Sequence, residues 1–172
     1  FPLWGFKLIA AYAPNFGFVP FLVHNLVKAG ANLMLTVLWE TLLAMRDKYG
    51  FLPDELHLQL DNTSAENKNV TVIAVAAWLV SSGKVRRVRL FYLMVGHTHI
   101  IIDQIFGVIT KPLKKSELLV PRHLMDHIDT VLRSNPQYRA KPTRWLHNNL
   151  DWDGFKTEHL QPLAIKLSLI HI

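Results

Sequence analysis

Two polar runs interrupt an otherwise apolar chain, and they contain the residue types best suited to catalysis. The first, from Leu58 to Asn69, includes Asp61, and the second, from Val95 to Gly107, includes Asp103. These two carboxylates could together hold a hard divalent cation, because Mg²⁺ takes one or two protein carboxylates and fills its other positions with water and phosphate oxygens. A two-metal arrangement would activate water or a hydroxyl for in-line attack on a phosphodiester.

The same residues also have ordinary structural interpretations. Asp61 could cap a helix that begins near Thr63, and Asp103 could be a solvated residue near a helix start, where the helix dipole favours anions. His99 could ligate a metal or transfer a proton, since imidazole titrates near neutrality, or it could cap the helix or bond a loop carbonyl. For His97 the structural role is favoured. Spacing alone leaves these alternatives open.

The first polar run follows a predicted strand and opens a predicted helix. Residues Leu56–Leu60 alternate apolar and polar side chains, as expected of a strand with one buried face, so that Asp61 comes at its carboxyl end. Thr63 and Glu66 have the spacing of a capping box. The helix that they would start extends through an apolar stretch to Ser82.

The second polar run has the same setting. Residues Leu90–Val95 form a short hydrophobic strand, and Thr98 is the predicted N-cap of a helix that runs from about His99 until Pro112 breaks it. His99 and Asp103 are four residues apart, so they share one face of this helix. The second run is therefore also predicted at the carboxyl end of a strand.

The rest of the chain supplies the frame for these two units. Residues 1–25 suit two or three brief strands, and a helix is predicted from Gly30 to a stop at Gly50 and Pro53. Beyond Pro112, amphipathic pieces alternate with loop signals at Asn135-Pro136, Lys141-Pro142 and Asp153-Gly154. The alternation of helices and strands predicts an α/β domain with helical crossovers, in which polar residues at strand carboxyl ends face one crevice.

Composition limits the classes of function. The chain has 172 residues, a net charge of +6 and no cysteine, so it has no disulfide framework, thiolate metal site or cysteine nucleophile. The longest apolar run, from Val70 to Val80, is too short for a membrane helix, which needs roughly 20 residues. It predicts a buried core helix and no membrane partner.

Basic residues form two clusters that could contact nucleic-acid phosphates. The denser cluster consists of Lys84, Arg86, Arg87 and Arg89, and the other consists of Lys111, Lys114 and Lys115. For either cluster alone, a solvated turn is the favoured interpretation, because charge runs are common on surfaces. The apolar-patterned Trp39 and Trp78 are predicted to lie in the core.

The two termini also carry expectations. The chain begins at Phe1 in an apolar, strand-like region, which favours an N-terminally truncated domain. Its last six residues, LSLIHI, resemble a translated sequencing adapter, so residues 167–172 are expected to be an artefact. Residues 1–165 are predicted to form a single, partial domain.

The strings LHLQLDNTSAENKN and FYLMVGHTHIIIDQIFGVI resemble a widespread eukaryotic family of uncharacterised domains associated with transposable elements. Two further strings, KAGANLMLTVLWETL and DWDGFKTEHLQPL, are similar to the family's flanking segments, so that the resemblance covers most of residues 17–165. The family's architecture resembles the ribonuclease-H-like core of DDE-type transposases and integrases. The resemblance implies a mixed sheet flanked by helices.

The resemblance also implies a site. Asp61 matches the acidic residue after the fourth strand of such cores, Asp103 matches the third acidic position, and His99 would orient one of them or a bound water. The first acidic residue is not identified and is expected upstream of Phe1. Mg²⁺ or Mn²⁺ would be the cofactor, DNA the partner and the nucleus the compartment. One departure is Ile100–Ile102, where the family pattern has an acidic or polar position.

Two alternative functions remain at this level. A domesticated domain could bind DNA or protein without cleaving anything, and a carboxylate on the first strand of the full-length protein would separate this alternative from a catalytic domain. A metallophosphoesterase is less favoured, because GHTH resembles the closing metal motif of calcineurin-like phosphatases but the chain lacks their Asp-x-His, Gly-Asp and Asn-His motifs.

Overall fold

The computed structural model of the protein describes residues 5–60, 69–92, 101–113 and 120–160. The strands are β1 (Phe6–Ala13), β2 (Gly17–His24), β3 (Glu55–Leu60), β4 (Arg87–Tyr92) and β5 (Arg144–Leu146). The helices are α1 (Ala31–Tyr49), α2 (Val70–Ser81), α3 (Ile101–Leu113), α4 (Pro121–Arg133) and α5 (Trp152–Phe155). A 3₁₀ turn at Pro136–Tyr138 precedes β5, and a π-helical turn at Lys156–Leu160 continues α5.

The first sheet is a hairpin extended by one short strand. β1 and β2 pair antiparallel, with Ala13 opposite Gly17 at the turn, and β5 pairs parallel with the other edge of β2. Gly17 has φ +116°, a conformation that residues with a Cβ rarely adopt. β2 is central and buried over all but its last residue, which explains its nearly unbroken apolar sequence.

Helices cover both faces of this first sheet. Alternate residues of β2 face opposite sides: Val19 packs in one core cluster with Leu33 of α1, whereas Phe18 packs in another with Ile105 of α3 and Ile128 of α4. The first sheet is therefore the middle layer of a helix–sheet–helix arrangement. The mixed sheet flanked by helices confirms the predicted α/β class and agrees with a ribonuclease-H-like description.

β3 and β4 form a second, parallel pair, joined through α2 in a βαβ crossover. Their register runs from Glu55 opposite Arg87 to Leu60 opposite Tyr92. The strand predicted over Leu56–Leu60 is confirmed, and so is the helical crossover. Leu56 packs in one core cluster with Leu79 of α2, so the apolar face of the pair is covered by helix.

Helix α1 links the two sheets. It extends from Ala31 to Tyr49, as predicted, and ends at Gly50, which has φ +82° and donates its backbone N–H to the Arg46 carbonyl over 2.7 Å. One side of α1 packs on the first sheet through residues such as Leu33, and another side packs on α2 through Leu35. This double packing buries a wider sector of the helix than the single predicted face.

Three predicted boundaries differ from the structure. Helix α2 begins at Val70 rather than near Ser64, because the Asn69 side chain caps it by accepting from the Thr71 backbone N–H over 2.7 Å. Strand β4 begins at Arg87 rather than Leu90, because Val88 already packs against the core. Asp153 and Gly154 lie inside α5 rather than in a loop.

Within the described residues, no helix combines the length and the apolar character that a bilayer crossing requires.

Candidate functional site

The carboxyl ends of β3 and β4 lie side by side. Leu60 and Tyr92 are paired in the parallel register, Asp61 directly follows Leu60 in the chain, and the second polar run begins shortly after Tyr92. The strands that precede the two polar runs therefore end at the same edge of the second sheet, where α/β folds place ligands.

Several predicted site residues lie outside the described residues: Asp61, His99, Lys114 and Lys115. The predicted approach of Asp61 and His99 to Asp103 therefore stays a prediction. Among the residues that the structure does describe, no group of three or more His, Cys, Asp or Glu could hold a metal ion.

Asp103 lies in the first turn of α3 and is exposed. This position places a carboxylate near the positive end of the helix dipole. An exposed carboxylate suits a hard divalent cation as well as a purely structural role. The donor chemistry at Asp103 thus fits the predicted metal.

The structure adds residues to the start of α2 that sequence analysis missed. Thr71, fully buried in the first turn, donates its hydroxyl to Asp153 Oδ1. Lys156 Nζ lies 3.0 Å from Thr71 Oγ1 and 3.5 Å from Asp153 Oδ1. A carboxylate and an ammonium group are thereby held beside the helix that follows Asp61. The loop signal at Asp153-Gly154 concealed this role, because the partners are 82 residues apart in the chain.

The same segment also fastens the start of α1. The Asp153 backbone N–H donates to Asn32 Oδ1 over 3.1 Å, and Trp152 Nε1–H donates to Thr36 Oγ1 over 3.3 Å. Trp152 contacts the rings of Trp39, Trp78 and Phe155 at centroid distances of 6.0, 6.4 and 5.9 Å. The core positions predicted for Trp39 and Trp78 are confirmed. The segment around α5 acts as a clamp on the amino-terminal ends of α1 and α2.

Three of the predicted basic residues come together at the second sheet. Arg87 and Arg89 point to the exposed face of β4, and Arg86 directly precedes this strand. Arg86 Nη2 lies 2.7 Å and Arg87 Nη1 lies 3.6 Å from Glu55 Oε1. Two of these three guanidinium groups therefore contact the Glu55 carboxylate.

Glu55 responds to this environment. The hydrogen bond from His57, 3.4 Å away, is the largest effect lowering the pKa of the Glu55 carboxyl below its ordinary value of 4.5, and the nearby arginines lower it further. His57 lies opposite Arg89 in the register of the two strands, and its ring contacts the ring of Phe91, which is 49% exposed. An exposed aromatic ring thus adjoins the arginines.

The other two described lysines of the predicted set lie elsewhere. Lys84 places its ammonium group over the Trp78 ring, 5.3 Å from the centroid, as expected for a cation–π contact. Lys111 is exposed in the last turn of α3, a helix that packs against the first sheet. The predicted cluster is thus divided between separate elements.

Comparison with known proteins gives a family match alone. A family model described as a domain of unknown function, DUF7869, matches residues 11–161. No curated protein and no solved structure matches the chain.

Proposed function

For this chain, which belongs to the DUF7869 family, we propose a role as part of a transposase-derived, ribonuclease-H-like domain that cleaves or transfers DNA strands with Mg²⁺ or Mn²⁺. The proposal places the protein in the nucleus, where its DNA substrate lies. It rests on the resemblance of the two polar runs together with the geometry of the second sheet.

The observation that carries the proposal is the parallel register of β3 and β4. Because Leu60 and Tyr92 end their strands side by side, the chain segments bearing Asp61 and Asp103 leave one sheet edge. An antiparallel pairing would have sent them to opposite edges. Parallel pairing is therefore a condition for a shared site, and the fold meets it.

In this proposal Asp61 and Asp103 hold the metal, and His99 orients one carboxylate or a water molecule. A bound cation would supply Lewis acidity for attack on a phosphodiester. Arg86, Arg87 and Arg89 contact the phosphate backbone, which positions DNA without reading its sequence. Lys111, Lys114 and Lys115 would extend this contact.

A plasmid-nicking assay tests the catalytic proposal. The protein is incubated with supercoiled plasmid and Mn²⁺, and Asp61→Asn and Asp103→Asn are compared with the unmodified chain. Each substitution should abolish nicking, because the neutral amide is a much weaker ligand for a hard cation than the carboxylate. Chelation of the metal by EDTA should have the same effect.

Asp47→Asn serves as the matched control, because Asp47 is an exposed acid at the end of α1, paired with Arg46 over 3.2 Å. It should leave nicking unchanged. Nicking that survives Asp61→Asn would overturn the assignment of that residue, and an inactive parent chain would favour the second function below.

The second candidate is a domesticated domain that binds DNA without cleaving it. The exposed Arg86, Arg87 and Arg89 favour this function independently of any metal, and Ile100–Ile102 stand where the resembling family has an acidic or polar position. Duplex binding in EDTA by a chain that does not nick DNA is the result expected of such a domain.

A further inference from the structure

A second cationic surface is formed by different elements of the fold from those that carry the β4 arginines. We call it the α4 groove: a groove of about 330 Å³ between the end of α4 and the loop before β5, lined by Arg133, Arg139 and Lys141 together with apolar residues and Asp129. None of these residues belongs to either basic cluster of the sequence analysis. The groove is about as large as a small ligand pocket.

The loop that forms the groove is held by specific contacts. The Lys141 backbone N–H donates to the Phe18 carbonyl over 2.8 Å, so the loop is fastened to β2. Arg139 has φ +48°, an uncommon value for a residue other than glycine, and its backbone N–H donates to the Pro136 carbonyl over 3.0 Å. A Cβ at Gly17 would overlap the Arg139 carbonyl oxygen. The backbone of the groove is therefore preorganised, which lowers the entropic cost of binding.

The two arginines of the groove have no acidic partner within the described parts of the chain. Arg133, Arg139 and Lys141 form no ion pair there. The carboxylate of Asp129 accepts hydrogen bonds from both the backbone N–H and the hydroxyl of Thr143, at 2.8 and 2.5 Å. It therefore helps to hold the loop before β5 in place. Lys141 Nζ lies over the Phe16 ring, 4.5 Å from its centroid, so this ammonium group already contacts the core. Arg133 and Arg139 still leave the lining with a net positive charge when the Asp129 carboxylate is counted.

The lining of the groove indicates which anion fits. Arg133 and Arg139 are exposed, so the groove is open to solvent beside them. A long polymeric anion needs such an opening, because it continues beyond the groove. Pro136 and Pro142 give the lining apolar surface against which a sugar can pack. Its arginines are the side chains that bond phosphate oxygens in nucleic-acid complexes. We propose that the α4 groove binds the phosphodiester backbone of a nucleic acid, independently of metal.

Binding of a labelled duplex oligonucleotide to the full chain tests this proposal. Fluorescence anisotropy is measured in EDTA over a range of salt concentrations for the parent and for Arg133→Gln/Arg139→Asn, in which asparagine tolerates the left-handed backbone. The double variant should bind more weakly. The slope of log affinity against log salt should shrink by about 0.9 for each phosphate interaction that the substitutions remove.

Lys28→Gln/Arg122→Gln is the matched control, because it removes the same two charges from exposed positions away from the groove. Arg122 lies at the start of α4 and Arg133 at its end, about 16 Å apart along the helix axis. The control should bind like the parent. Arg133→Gln alone alters an exposed helix end and leaves the loop intact, so it tests the groove even if the double variant does not fold. Its expected slope change is half as large.

Three results would overturn the proposal. The first is that the Arg133→Gln and double variants bind the duplex as tightly as the control does. The second is that these variants lose binding to poly-glutamate as much as to the duplex, and the third is that they lose binding to inorganic phosphate but not to the duplex. The second would indicate an acidic polypeptide and the third a free phosphate. Because this assay contains no metal, its outcome is separate from that of the nicking test, and either proposal can fail while the other stands.

Discussion

Glu55 is a single carboxylate that lowers the positive charge on the exposed face of β4. It accepts from His57 and pairs with Arg86 and Arg87, so it offsets part of the positive charge that would otherwise face a polyanion. The contacts also lower the pKa of its carboxyl. The residue therefore links the stability of the second sheet to its binding chemistry.

Glu55→Gln should lower the melting temperature near neutral pH but not in acid. A carboxyl whose pKa is lowered by folding contributes stability that is present above its unfolded pKa, ordinarily 4.5, and is lost as the pH falls through the folded pKa. The difference in melting temperature between parent and variant should therefore shrink as the pH falls through the lowered folded pKa of Glu55, and vanish once the carboxyl is protonated in both states.

The same variant should bind duplex DNA more tightly than the parent, because two arginines lose their acidic partner. Glu158→Gln, which removes an exposed acid beside His159, is the control and should leave the melting temperature nearly unchanged. An unchanged or weaker duplex affinity of Glu55→Gln would count against the arginine surface as a DNA contact.

At the scale of elements, the β1–β2 turn and the loop before β5 are mutually dependent. Gly17 begins β2 with φ +116°, and the carbonyl of Arg139 occupies the space where its side chain would be. The hairpin therefore requires glycine for two reasons, backbone conformation and close approach. The contact between Gly17 and the Arg139 carbonyl therefore helps to determine the shape of the α4 groove.

Gly17→Ala should destabilise the protein by about 2–5 kcal/mol, from the strained backbone together with overpacking against Arg139. Gly50→Ala is the comparison, because Gly50 also has positive φ but nothing within 4 Å of an added Cβ. It should cost about 1–2 kcal/mol. Urea unfolding measures both, and equal costs would show that the contact with Arg139 is not limiting.

At the scale of the whole molecule, the clamp around α5 joins segments that are far apart in the chain. Trp152 is 6% exposed and packs in one core cluster with α1 and α2, while Asp153 and Lys156 bond to Thr71. The clamp holds the start of α2, the helix that follows Asp61. A loss of the clamp is therefore expected to loosen the proposed site as well as the core.

Trp152→Ala should lower the free energy of unfolding by about 3–5 kcal/mol, because it leaves a large cavity among packed rings. Phe91→Ala, at a ring that is 49% exposed on β4, should cost much less. Urea unfolding followed by circular dichroism gives both values. A cost for Trp152→Ala as small as that for Phe91→Ala would show that the clamp does not stabilise the fold.

Local patterns in the sequence predicted much of the fold. The glycines at the ends of α1 and the alternation of apolar and polar residues in β3 predicted these two elements correctly. Helix caps and periodicity depend on residues that are near one another in the chain. Boundaries failed where packing decided them. The basic residues Arg87 and Arg89 favoured a solvated turn in the sequence. In the structure they belong to β4, because Val88 between them packs against the core.

The candidate site divides in the same way. The chain by itself determined that Asp61 and Asp103 follow strands, and that basic residues cluster around Arg87. Tertiary structure decided that β3 and β4 run parallel, that Asp153 reaches Thr71, and that Arg133 and Arg139 line one groove. Those relations depend on which faces pack together across long separations in the chain, and neither periodicity nor spacing encodes that choice of partners.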